Sequence, residues 1–158
     1  MSPDEADFVD RMGLWLEMAG GTRTMGRIYG RLMVCDPPHQ SLAQLAEALG
    51  VSKASVSTVA RQLQEVGMIE RRPSSERRHE YRITAGGFTR VLQLQAARMQ
   101  PGIAAAEFGL SAVGADRSVQ REHLEELRDF LEFCIRDFGA DFVSRWESFR
   151  DGRRGNGG

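Results

Sequence analysis

The chain has 158 residues, 41% of them hydrophobic and 27% charged, and a formal net charge of −1. That length suits one domain, or two small subregions sharing a core, and the balance is that of a globular rather than a disordered chain. No apolar run approaches the roughly 20 residues of a membrane helix, and the acidic start MSPDEADFVDRMG lacks a basic leader, so the expected compartment is the cytoplasm.

Helix punctuation is legible from the first residues. Ser2-Pro3-Asp4-Glu5 reads as an N-cap, a proline in the first turn and a capping-box glutamate. Phe8, Met12, Trp15 and Leu16 then form an apolar face until Gly20-Gly21. A second helix is expected from Thr24 to Cys35, with Ile28, Leu32 and Met33 apolar, ended by Asp36-Pro37-Pro38. Ser41 with Gln44 makes another capping box for a helix carrying Leu42, Leu45, Ala46 and Leu49, and Gly50 closes it. Ser52 caps a fourth helix that runs to Val66, with Gly67 beyond it. Two helices joined by a tight glycine-containing turn are a helix-turn-helix.

The period then changes from helical to alternating. MIERR and HEYRI read as two strands around PSSER, returning Met68, Ile69, Tyr81 and Ile83 to the core. A fifth helix is expected from near Thr84 past Leu94, with a kink or break at Pro101-Gly102. A sixth spans roughly Arg117 to Phe138, with Leu124, Leu127, Leu131, Cys134 and Phe138 on one stripe. A short last helix holds Phe142, Val143, Trp146 and Phe149, and DGRRGNGG is expected to be a disordered tail. The fold class is therefore mostly α with a small β-hairpin: a winged helix-turn-helix between helical arms. Residues 24–98 would be the winged domain with the start of a linking helix, 1–23 and 99–150 a helical dimerisation region, and 151–158 the tail.

Charge is unevenly placed. Residues 51–90 carry a net +4, while residues 1–50 carry −3 and residues 91–158 carry −2. The basic block coincides with the helix-turn-helix and hairpin, a cue for nucleic acid. Within VSKASVSTVARQLQEVG, Val56, Val59 and Leu63 share one helical face. The arc roughly 100° to 200° away from Val56 holds Ala54, Ser57, Thr58 and Arg61. Small side chains let a helix approach a DNA groove, hydroxyls donate to phosphates or base edges, and arginine binds guanine bidentately. Ser52 and Lys53 sit at the helix N-terminus, which favours a phosphate, and Ser55 lies at the edge of the apolar stripe. At the hairpin, Arg77, Arg78 and His79 are candidates to enter a minor groove or clamp phosphates. The plainer reading, a capped solvent-facing helix followed by a solubilising hairpin, explains Ser52 in part but not the coincidence of the basic block with this module.

Over residues 24–90, GRIYG, LAQLAEALGVSKASVSTVARQLQEVG and MIERR…ERRHEYRI resemble the MarR superfamily of bacterial regulators, in particular its GbsR-type branch. The overall pattern is also similar to actinobacterial members that control lipid or drug exporters. The resemblance implies a homodimer with interlocking N- and C-terminal helices. It also implies a palindromic double-stranded operator and autorepression relieved by a small molecule. It places the recognition helix at Ser52–Gln64 and the wing arginine at Arg78, with Glu76 where many members carry aspartate. Independently, Trp15, Phe130, Phe133, Phe138, Phe142, Trp146 and Phe149 expose more apolar stripe than one winged module covers, which calls for a partner copy.

An effector, if one exists, is expected to be apolar or amphipathic and to meet Trp15, Met18, Arg27, Phe88 and Leu92. No cofactor is expected. The three histidines are scattered, and Cys35 and Cys134 lack metal-ligand spacing and read as buried thiols. The sequence holds no nucleophile elbow, phosphate loop, zinc signature or acid–base pair, so it does not read as an enzyme. The rival readings are a winged-helix protein-assembly module and an effector-independent DNA binder. The first predicts an acidic or apolar outer face on the fourth helix, which Lys53, Thr58 and Arg61 contradict.

Overall fold

The structure is a computed structural model that describes residues 1–73 and 79–155. It divides into two units, Met1–Val91 and Leu92–Gly158. The first contains α1 (Pro3–Met18), α2 (Arg23–Val34), β1 (Gln40–Ser41), α3 (Leu42–Leu49), α4 (Lys53–Glu65), β2 (Ile69–Pro73) and β3 (His79–Ile83). Helix α5 (Gly87–Ala97) begins in this unit and continues into the second, which holds α6 (Gln100–Ala112), α7 (Ser118–Asp137) and α8 (Ala140–Gly155).

The capping boxes form as the sequence implies. The Ser2 and Ser41 hydroxyls accept the backbone N–H of Glu5 and Gln44, and those two side chains accept the N-cap N–H groups in return. Thr22 caps α2, accepting the Met25 N–H at 3.2 Å, so this helix begins one residue before the expected Thr24. Gly50, at φ +64°, closes α3, and its N–H and that of Val51 return to carbonyls of the last turn. A residue with a Cβ is disfavoured there.

The stretch GRIYG is explained by how α2 meets α1. Gly26 and Gly30 stand four residues apart on one face, while Ile28 and Tyr29 point into the core. A Cβ on Gly26 would lie 2.2 Å from the Met12 carbonyl oxygen, and one on Gly30 would lie 2.9 Å from the Met12 Cβ. From the other side, a Cβ on Gly13 would meet the Arg27 Cγ at 2.8 Å. The two helices touch backbone to backbone, a distance that larger residues forbid. This close approach buries Val9, rather than Trp15, as the inward residue of α1.

The core of the first unit joins Val9, Ile28, Tyr29, Leu32, Leu45, Leu49, Val56, Val59, Leu63, Met68, Ile69 and Tyr81. The hairpin strands pair antiparallel with Ile69 opposite Ile83 and Arg71 opposite Tyr81. Strand β1, which the sequence does not announce because two residues carry no period, adds to the other edge of β3 with Gln40 opposite Tyr81, so the order is β1-β3-β2. Cys35 belongs to this core; burial pushes its thiol up, away from the reactive thiolate, and its Sγ donates to the Leu32 carbonyl.

In the second unit, α6 and α7 pack through Gly102 against Leu131 and Gly109 against Leu124. Arg121 donates to the Leu110 and Val113 carbonyls at 2.8 and 3.2 Å, satisfying the C-terminal end of α6. The kink or break expected at Pro101-Gly102 is a break: α5 ends at Ala97 and α6 begins at Gln100, with the proline in its first turn, where a missing N–H costs nothing. One expectation needs correction here. The expected disordered tail is helical from 151 to 155, where the Arg153 guanidinium lies over the Phe149 ring at 5.5 Å; residues 156–158 lie outside the described residues.

Gly26→Ala is expected to lower the unfolding free energy by about 1–3 kcal/mol, measured by urea titration. Gly152→Ala, with nothing within 4 Å of an added Cβ, should leave it unchanged or slightly raised.

Candidate nucleic-acid interface

Helix α4 divides its surface cleanly. Val56, Val59, Ala60 and Leu63 are buried, while Lys53, Ala54, Thr58 and Arg61 are exposed and Ser55 and Ser57 are half-buried. The hydroxyls of the opening turn have different duties. Ser52 is the N-cap, its Oγ accepting the Ser55 N–H at 3.1 Å. Its side chain is occupied by the helix, although the residue itself is exposed. Ser57 and Thr58, one turn further, carry the polar outer face together with Arg61.

Lys53 and His79 come together. They line an open groove of about 430 Å³ with Ser41, Leu42 and Ala43. Two helix N-termini, those of α3 and α4, therefore lie beside one lysine and the base of the wing. First-turn N–H groups and a cation are the donors that a phosphate takes. The sequence shows Ser41 as a cap but gives no sign that Leu42 and Ala43 stand beside Lys53, because that proximity is made by the sharp turn at Gly50 and by β1 pairing with β3. The base of the wing is braced by His39 Nδ1, 3.0 Å from Glu80 Oε2, and by Arg31 Nε donating to the buried Gln40 Oε1 at 3.3 Å.

The basic block is not all available to a ligand. Arg82 Nε donates to Glu70 Oε1 across the hairpin at 2.6 Å. The Arg71 guanidinium lies over the Tyr81 ring at 5.9 Å. Among the described residues of the block Lys53, Arg61, Arg72 and Arg90 are exposed and make no ion pair. Arg77 and Arg78, the hairpin-tip candidates, lie outside the described residues, as does Glu76.

The residues expected to meet an effector are only partly gathered. Trp15 and Phe88 stack edge-to-face at 5.9 Å, and Phe88 meets Tyr29 at 5.2 Å, adding a tyrosine that the sequence did not single out. Arg27 Nε pairs with Asp10 Oδ1 at 2.9 Å, so its charge is already partnered. Met18 is 89% exposed, and Leu92 is the exposed first residue of the second unit.

The model of the MmpR5-like MarR family transcriptional regulators matches residues 86–149, and that of the MarR family matches residues 36–79. Neither description names the GbsR-type branch. The HTH-type transcriptional regulator MmpR5 of Mycobacterium tuberculosis (strain ATCC 25618 / H37Rv) is 36% identical over 145 residues, covering 91% of this chain and 87% of that protein. A crystal structure of a transcriptional regulator, 34% identical, superposes with a TM-score of 0.77 over 92% of this chain and 99% of its own. MepR, a transcription regulator of the Staphylococcus aureus multidrug efflux pump MepA, is 19% identical with a TM-score of 0.44, covering 80% of this chain and 90% of its own.

Lys53→Ala should weaken binding to every duplex sequence alike and make the dependence of log K on log salt shallower by about 1 per protomer. Fluorescence anisotropy over a salt series measures both.

Proposed function

We propose that this chain, which belongs to the MarR family of DNA-binding transcriptional regulators, acts as a homodimeric repressor of a neighbouring transporter or efflux gene and is released by an apolar or amphipathic small molecule. The observation that carries the DNA-reading part is the division of α4. Its apolar stripe is buried and its Lys53, Ala54, Thr58 and Arg61 side is open next to the Lys53–His79 groove. Lys53, His79 and the wing arginines Arg77 and Arg78 anchor the backbone. Ser57, Thr58 and Arg61 read base edges, Arg61 by a bidentate contact to guanine. Ala54 lets the helix approach, while Ser52 and Ser55 hold its first turn in shape.

Apolar surface supports the homodimer. On α7 one stripe, with Leu124 and Leu131, packs on α6, whereas Val119, Phe130 and Phe133 remain more than half exposed. Phe108 on α6 is 74% exposed, and Trp146 and Phe149 on α8 are also open. That much aromatic surface marks an interface. A two-fold partner covers it and presents two recognition helices to half-sites spaced by about one DNA turn, roughly 34 Å. An apolar effector at the Trp15–Phe88 patch would favour a form whose recognition helices no longer match that spacing, shifting the population off DNA. The exporter target follows the resemblance of the chain to regulators of lipid and drug exporters.

The test is binding to the DNA upstream of the chain's own gene against random DNA over a salt series. Preference for the upstream DNA with a steep salt slope supports an autoregulatory repressor; equal weak binding to both would remove the operator from this reading. Arg61→Ala should cut the preference by about 1–3 kcal/mol while leaving random DNA nearly unaffected. An equal loss on both would deny Arg61 its reading role. Phe130→Glu should shift the protein toward monomer in sedimentation velocity, with helix content retained by circular dichroism. An unchanged dimer would place the interface elsewhere.

A further inference from the structure

The C-terminal end of the recognition helix is built into the start of α5, and the joint is made by two glycines and one arginine. Helix α4 stops in a motif in which the Gly67 N–H returns to the Gln64 carbonyl at 2.9 Å and the Met68 N–H to the Leu63 carbonyl at 2.9 Å. Gly67 has φ +75°, a conformation that suits glycine. The space a side chain would occupy there is filled by Arg90. A Cβ on Gly67 would stand 2.5 Å from Arg90 Cδ, 2.8 Å from its Nε and 3.3 Å from its Cζ. The guanidinium thus lies across the end of α4, where helix carbonyls carry partial negative charge and favour a cation.

The second half of the joint is backbone against backbone. A Cβ on Gly87 would stand 3.0 Å from the Met68 Cα, and the Thr84 N–H donates to the Met68 carbonyl at 3.0 Å. The Arg90 N–H donates to the Gly86 carbonyl in the first turn of α5. Arg90 is therefore fixed one turn into α5, and α5 is the segment by which the chain leaves the first unit at Val91.

The geometry points to Arg90 as a positioning residue for DNA recognition: laid over Gly67, it locks the end of α4 to the first turn of α5 and so sets the angle at which Ser57, Thr58 and Arg61 are presented. This inference rests on the reading of α4 as the recognition helix. It assigns Arg90 no contact with DNA. A larger residue at 67 would have to hold a φ of +75° and displace the arginine, and one at 87 would press on the Met68 backbone.

Two readouts on Arg90→Ala in the full chain test it. Hydrogen exchange at the Gly67 and Met68 amides should accelerate about tenfold, with the amides of Ile28 and Leu32 in α2 unchanged. The ratio of operator to random-DNA affinity should fall about fivefold with the salt slope unchanged, and Arg90→Lys should recover part of it. Unchanged exchange at Gly67 and Met68, or acceleration spread over the whole first unit, would overturn the joint. Equal loss on both DNAs with a shallower salt slope would make Arg90 a phosphate contact and overturn its positioning role. If the wild-type protein showed no operator preference, the DNA-reading proposal would fail, while the exchange at Gly67 and Met68 would still decide whether the lock exists.

Discussion

Val56, Val59, Ala60 and Leu63 hold α4 in the core of the first unit, and the usable surface of this protein depends on that anchorage. Each is a small or medium apolar residue at helical spacing, and burying side chains of this kind is worth about 1.5–3 kcal/mol apiece for the larger ones. The stripe leaves no rotational choice. Once it is buried, Lys53, Ala54, Thr58 and Arg61 must face outward together. The Ser52 cap offsets the poor helix propensity of the hydroxyl-rich first turns by satisfying one of the orphan N–H groups. Alanines there would favour the helix more, but they would carry no hydroxyl to donate.

Charge is distributed by task within the basic block. Arg82 and Arg71 serve the hairpin, one through Glu70 and the other over Tyr81. Both interactions are exposed or partly so, which makes them modest in energy. Their value is that they keep the strands in register beneath the wing. Lys53, Arg61 and Arg72 stay open to solvent and pair with no acid among the described residues, so their charges are available to a polyanion. The chain as a whole is near neutral, so attraction to DNA comes from this local asymmetry and is sensitive to ionic strength.

The two units solve the packing problem differently. In the first, α1 and α2 meet backbone to backbone at Gly26, while Gly13 and Gly30 make room for the Arg27 and Met12 side chains, which leaves α1 to bury Val9 and turn Trp15 outward toward Phe88. In the second, Gly102 and Gly109 seat Leu131 and Leu124, and one face of α7 is satisfied while the other is not.

Much of this was readable along the chain, because the signals are local. Ser2, Ser41 and Ser52 cap helices by hydrogen bonds spanning three residues, and Gly50 and Gly67 end helices through their own backbone angles. The stripe of α4, the hairpin and the family resemblance over residues 24–90 are of the same kind. What the tertiary structure decided is long-range. β1 has too few residues to carry a period, and it exists because β3 offers an edge. The Met12–Gly26 approach, the meeting of Lys53 and His79 with the start of α3, and the Arg90 side chain over Gly67 join residues far apart in sequence. No local pattern encodes such pairs. Periodicity reports which face of an element is apolar, whereas the residue that fills the space opposite a given glycine depends on how whole elements cross.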